Sequence, residues 1–371
     1  MQNTALKEIA TLFLKLGVTA FGGPAAHIAM MRDEVVQKKK WMSDQHFLDL
    51  LGATNLIPGP NSTEMAIHIG HERGGLKGLL LAGLCFIVPA VIITGFFAWL
   101  YKTYGVLPAA QQFIYGIKPA IIAVILSAVY PMAKASLKNV QLIVIGLFAL
   151  LFCFLGFNEI LVLFCSGAAA LLLHRFKKTE NINGVAPLLL LQTNVWLSGT
   201  NLKLFLSFLK IGSILYGSGY VLFAFLDEEL VKQGLLSKQQ LMDAVAVGQF
   251  TPGPVFSAVT FIGYQINGLS GAIVSTIGIF LPSFLLVWLL NPLVPKMRKS
   301  KQLAVFLDAV NVASVTLIVF VCYGMAKESI GDWRTIVIAV ISILVCFGLK
   351  KVNSALVVLG GAVLGYVLAM F

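Results

Sequence analysis

Long apolar runs near 76–100, 110–133, 140–155, 159–173, 272–290, 303–326, 335–348 and 354–371 alternate with short polar loops. Roughly 17–25 consecutive apolar residues make a helix long enough to cross a bilayer, so most of these runs read as spans. The shorter ones, such as 140–155, need flanking residues to complete a crossing. An earlier helix is predicted over 9–31 as a further span. The stretch from Ser43 to Glu72 departs from the pattern, because Asp44, His46, Asp49, Asn55, Asn61, Glu64, His68 and His71 make it too polar to face lipid. Pro58-Gly59-Pro60 sits at its middle, and a helix broken at membrane depth must be buried in protein or line a cavity. Two half-helices meeting at that break, with both ends on one side, form the predicted re-entrant hairpin.

The pattern occurs twice. FLKLG at 13–17 returns as FLKIG at 208–212, Phe21-Gly22 as Tyr216-Gly217, and Asp33-Glu34 as Glu228-Glu229. Pro58-Gly59-Pro60 returns as Pro252-Gly253-Pro254, and Pro89 as Pro282. Repetition at a nearly fixed offset predicts two copies of one unit. The expected domains are 1–173 and 207–371, joined by a polar linker over 174–206. Five spans and one hairpin per half give an all-α, polytopic transmembrane fold with about ten spanning helices and two re-entrant hairpins. An odd number of spans turns the second half upside down, which predicts inverted-repeat pseudo-symmetry.

Composition agrees: the 371 residues are 58% hydrophobic and 12% charged, which excludes an ordinary soluble domain and makes the lipid bilayer a partner. The net charge of +11 does not imply nucleic acid, because the cations sit in short loops. With hairpins in place, most of the 27 lysines and arginines fall on one side, which the positive-inside rule assigns to the cytoplasm. The N-terminus lacks a basic region and a small-residue cleavage site, so no signal peptide is expected. The five cysteines lie in apolar runs without CxxC spacing and read as reduced packing residues. GxxxxGK[ST], GxSxG and HExxH are all missing, so neither an ATP-driven pump nor a hydrolase is indicated and no cofactor is expected.

NLIPGPNSTEMAIHIG at 55–70 and FTPGPVFSAVTFIGY at 250–264 resemble the chromate ion transporter family in its long form with two homologous domains. GIFLPSF at 278–284 and AFGGPAAHIAMMRDE at 20–34 extend the resemblance over nearly the whole chain outside the linker. It implies a carrier of the bacterial cytoplasmic (inner) membrane, associated with chromate efflux and linked to sulfate.

A helix starting just after Pro-Gly-Pro aims unpaired N–H groups and a positive dipole end at the break, which suits a tetrahedral dianion such as chromate or sulfate. Asn61, Ser62 and Thr63 open the first such helix; Val255, Phe256 and Ser257 open the second. Candidate substrate residues are therefore Asn55, Pro58, Gly59, Pro60, Asn61, Ser62 and Thr63, with Gln249, Thr251, Pro252, Gly253, Pro254 and Ser257. The alternative is that the prolines only shape the hairpin and the hydroxyls cap it. Gly22, Gly23, Gly217 and Ser218 interrupt the first helix of each half and are candidates for backbone contact, or simply for close packing. Lys15 and Lys210 are the duplicated cations, either touching substrate or snorkelling. Lys118 lies inside its helix with Asn311 as its repeat partner. Glu64 and His68 are candidate proton relays, with the proton as a candidate coupling ion. Glu64, His68 and His71 share a helical face, but the second half offers Ala258, Ile262 and Tyr264 there, so no metal is expected. A homodimer is a candidate assembly. The alternative functions are a passive oxyanion channel and a carrier of another small anion.

Overall fold

The computed structural model describes residues 2–21, 23–104, 108–176, 199–216, 219–291, 297, 300–349 and 352–370. Helices make up the regular structure, and no strand occurs among the described residues. The first half contains α1 (Gln2–Thr19), α2 (Gly23–Arg32, widening into a π turn over Asp33–Lys38) and α3 (Asp44–Thr54). It continues with α4 (Asn61–Tyr104), α5 (Pro108–Ser136), α6 (Val140–Phe154) and α7 (Glu159–Phe176). The second half follows the same order. α8 (Thr200–Ile214), α9 (Leu222–Leu226, with a π turn over Asp227–Val231) and α10 (Lys238–Phe250) come first. A short 3-10 turn then leads into α11 (Ala258–Leu290), followed by α12 (Lys301–Ser329), α13 (Trp333–Gly348) and α14 (Ser354–Leu368). Most of the predicted linker falls on 177–198, outside the described residues.

Local chemistry explains the repeated boundaries. Ser43 caps α3 by accepting from the His46 N–H, and Ser237 caps α10 by accepting from the Gln240 N–H. α4 and α11 are each two helices joined at a kink. Gly74 and Gly75 adopt φ/ψ of −142/16° and 59/−148°; Asn267 and Gly268 adopt −140/35° and 59/−150°. The second residue of each kink needs a left-handed φ, which glycine takes without a Cβ penalty. Each kink folds the chain back so that Gly70 meets Gly78 and Gly263 meets Gly271, backbone against backbone. The half-helix 61–73 and α3 thus form one hairpin around Pro58-Gly59-Pro60; α10 and the start of α11 form its counterpart.

The predicted span over 9–31 is not one straight helix. α1 stops at Thr19, and Gly23 (φ 80°) with Pro24 starts a new helix, since proline has no N–H to continue the old one. Contacts then gather the start of α1, the end of α2 and both ends of the first hairpin at one end of the bundle. Glu8 pairs with Arg73 at 3.1 Å, Arg73 stacks on Trp41, and His46 contacts Glu72 at 3.3 Å. Arg32 binds Asp44 through two bonds of 2.6 and 2.8 Å, which hold that carboxyl below its usual range. α1 and α2 therefore fold back as a second hairpin. The cause is the helix break, not polarity, which is why apolar patterning alone missed it.

At the far end of α4, Lys102 lies over Tyr264 and the Ala98 carbonyl accepts from Gln265 at 2.9 Å. Asn267 bonds Asn201, so α8 begins at this far end. α11 instead runs back to Asn291, which contacts His71 at 3.3 Å at the first end. Among the described residues, four apolar helices are long enough to span, within α4, α5, α11 and α12, and α6, α7, α13 and α14 are shorter apolar helices. One core joins the halves: Phe208, Phe225 and Phe261 pack with Ile121, Leu163 and Leu317. In lipid such packing stabilises by dispersion and close fit, because there is no water to expel.

Candidate functional site

Each Pro-Gly-Pro break is tied to the opposite half. The Gly59 N–H donates to the Leu215 carbonyl and the Gly253 N–H to the Ala20 carbonyl, both at 2.8 Å. Leu215 and Ala20 are themselves the ends of α8 and α1. The last carbonyl of each first helix, an orphan by position, is thereby satisfied by the other repeat. Both glycines have positive φ, 139° at Gly59 and 85° at Gly253. Behind them, Gly17 lies against the Cys85 and Phe86 carbonyls beside Pro89, and Gly212 lies against the Ile279 carbonyl beside Pro282. Proline at 89 leaves the Cys85 carbonyl without its helical donor, and a glycine lets the neighbouring helix approach it.

The two breaks differ in what surrounds them. A side chain at Gly59 would collide with Glu64 Oε1 and would lie 2.7 Å from Ser283 Oγ. A side chain at Gly253 would meet Ala90 Cβ at 2.8 Å and the Gly17 carbonyl at 3.1 Å. Thr63, Glu64, His68 and Ser283 are each essentially inaccessible. Thr63 Oγ1, both Glu64 carboxylate oxygens, His68 Nε2 and Ser283 Oγ have no hydrogen-bond partner. Buried polar groups are normally satisfied, so such a cluster calls for a functional explanation. Ser62 is buried beside them, and Asn61 donates to Asn55 at 2.9 Å across the break.

At the second break the polar groups are mostly engaged. Ser257 shares a hydrogen bond with Thr94 at 3.1 Å, and Thr251 donates to the Val247 carbonyl at 2.9 Å. Gln249 is buried with its amide nitrogen unpartnered. Lys15 pairs with Glu34 at 3.0 Å, and Lys210 pairs with Glu229. Both duplicated cations thus close their own hairpins. Gly23 packs against Tyr220, whose hydroxyl would lie 3.1 Å from a side chain there. Gly22, Gly217 and Ser218 lie outside the described residues. No group of three or more His, Cys, Asp or Glu suited to a metal occurs among the described residues.

Sequence reasoning overlooked Ser283, which a repeat comparison flags because its counterpart is Ala90. It also overlooked Asp243. That carboxylate is buried between α4, α5 and α10, accepting from Tyr101 at 2.6 Å and lying 3.8 Å from the Lys118 ammonium. Its counterpart Asp49 stays half-buried, and each aspartate accepts from the glutamine one turn before it at 3.4 Å.

Apolar helices around two broken, duplicated hairpins define a multi-pass membrane protein. The chain belongs to the chromate transporter family, whose model matches residues 7–171 and again 202–366. It is 30% identical to the chromate transport protein of Cupriavidus metallidurans, over 98% of this chain and 93% of that protein. It is equally similar to a probable chromate transport protein of Synechococcus elongatus, over 98% and 95%. An uncharacterized transporter of Methanocaldococcus jannaschii is 30% identical over 99% of this chain and 95% of its own length. No solved structure matches this chain.

Proposed function

We propose that this protein is a secondary carrier of tetrahedral oxyanions, chromate first and sulfate-like anions next, working as an efflux system in the bacterial inner membrane. The observation that carries this is the unpartnered polar cluster at the first break, at the N-terminus of a half-helix. The relatives named chromate transport proteins supply the cargo class. The N–H groups of Asn61 and Ser62 at the start of the half-helix, with the Thr63 hydroxyl, would receive the anion, and Gln249 is the polar group offered by the second half. Outward movement of a dianion is favoured by an inside-negative potential, by about 2.3 kcal/mol per charge per 100 mV.

We read the two halves as an inverted repeat, because their hairpins open at opposite ends of the bundle. Four apolar helices per half do the crossing in this reading, and α1–α2 with α8–α9 add hairpins, in place of the ten spans expected from the sequence. Single cysteines at Lys39 and Glu228 should react with an impermeant thiol reagent from opposite faces of the membrane. Labelling from the same face overturns the inversion.

The decisive experiment is flux of labelled chromate in proteoliposomes. Saturable uptake with counterflow, abolished in Gly59→Leu although that variant still inserts, is the expected result. Unsaturable flux without counterflow would establish a channel, and saturable flux of an organic anion but not of chromate would establish a different cargo.

A further inference from the structure

We propose that Glu64 and Ser283 form a binding site for a small alkali cation, sodium, held between the two halves of the molecule. This goes beyond the oxyanion reading and stands without it. Glu64 belongs to the half-helix that leaves the first break, and Ser283 to the long limb of α11 in the second half. Both lie against the position that a side chain on Gly59 would take, so the missing Cβ leaves room beside the two groups. Neither Glu64 oxygen bonds Ser283 Oγ, and all three oxygens are buried without a partner.

The donor set selects the ligand. Carboxylate and hydroxyl oxygens are hard ligands, suited to hard cations and not to soft metals. One carboxylate carries one negative charge, so a monovalent ion leaves the buried site neutral. A divalent ion would leave an uncompensated charge in a low-dielectric interior. A proton on one Glu64 oxygen would leave the other oxygen and the serine unsatisfied, whereas a coordinated ion engages all three. The start of the half-helix, three residues away at Asn61, favours the ionised carboxylate that such an ion needs. A neutralised Glu64 also removes the repulsion that a bare carboxylate would exert on a dianion at that helix start. The partner from the other half appears only when the chain is folded.

The equivalent place in the second half gives the internal control. Ala258 stands where Glu64 does and Ala90 where Ser283 does, so the carboxylate–hydroxyl pair is not repeated there.

The test is thermal unfolding of the full-length protein in detergent, without oxyanion, in sodium, potassium and choline chloride at equal ionic strength and fixed pH. Sodium should raise Tm saturably over choline, with potassium weaker. Ser283→Ala and Glu64→Gln should each remove that rise, and Ser257→Ala should keep it. Ser283→Ala keeps the test decisive if Glu64→Gln fails to fold. Equal Tm in all three salts, a rise that survives Ser283→Ala, or a rise reproduced by lowering the pH in choline alone overturns the proposal. A sodium response intact in a protein that neither binds nor moves chromate leaves this site standing and removes only the cargo reading.

Discussion

The breaks at 58–60 and 252–254 share a backbone and differ in chemistry. Each has a positive-φ glycine, a clasp to the opposite half and a kink one helix-length later with nearly identical angles. Around Gly59 stand Glu64, Thr63 and Ser283 with unpartnered oxygens; around Gly253 stand Ala90, Ala258 and a serine already bonded to Thr94. The outer parts of the hairpins are unequal the other way round. Asp243 on α10 is buried against Lys118 and Tyr101, whereas Asp49 on α3 has Asn311 at the position equivalent to Lys118. Duplication has preserved what sets the chain's path and let the polar side chains diverge. One copy leaves buried polar groups without partners, and the other mostly pairs them.

The largest expected effect tests the outer inequality. Lys118→Met leaves Asp243 buried and uncompensated, and should destabilise by about 3–5 kcal/mol, as breaking a buried ion pair does. Replacing both, Lys118→Met with Asp243→Leu, should restore most of that loss. Asp49→Asn, at a half-buried position without a lysine at the site equivalent to Lys118, should cost less. Denaturant unfolding in mixed micelles compares them, and equal losses for Lys118→Met and Asp49→Asn would erase the distinction between the hairpins.

A smaller effect sharpens the contrast between the breaks. Ser257→Ala strips Thr94 of its partner and should lower stability by about 1 kcal/mol, with chromate affinity unchanged. Thr63→Val removes a hydroxyl that has no partner in the protein, so stability should hold while chromate binding weakens by about 1–2 kcal/mol. Paired unfolding and binding titrations read both, and the reverse pattern would move the cargo to the second break.

The smallest effect concerns the clasps within the hairpins. Lys15 is 59% exposed and Lys210 37% exposed, and pairs so open contribute about 0–1 kcal/mol. Lys15→Gln and Lys210→Gln should therefore shift the unfolding midpoint slightly and by similar amounts. Loss of chromate binding in either would show that the lysine touches cargo and does not merely close its hairpin.

Much of this was legible because the signals are local. Eight apolar runs became the apolar limbs of α4 to α7 and α11 to α14 nearly residue for residue, since a lipid-facing helix must advertise itself in composition. The polar stretch 43–72 read correctly as a hairpin because proline and glycine dictate a break wherever they fall together. The return of α2 was missed because α1 and α2 are apolar enough to pass for one span. Their reversal shows only in contacts such as Glu8 with Arg73.

The sequence by itself determined the helices, the duplication, the positions of the breaks and the family. Each depends on neighbours in the chain, on backbone angles that glycine and proline restrict, or on apolar length. Only the tertiary structure decided which side chains meet. It set Ser283 opposite Glu64, Ser257 against Thr94 and Lys118 beside Asp243, pairs far apart in sequence and drawn from different elements. It also decided that Lys15 and Lys210 spend their charges on their own hairpins. Side-chain partnership depends on how packed helices cross, and no local pattern encodes that.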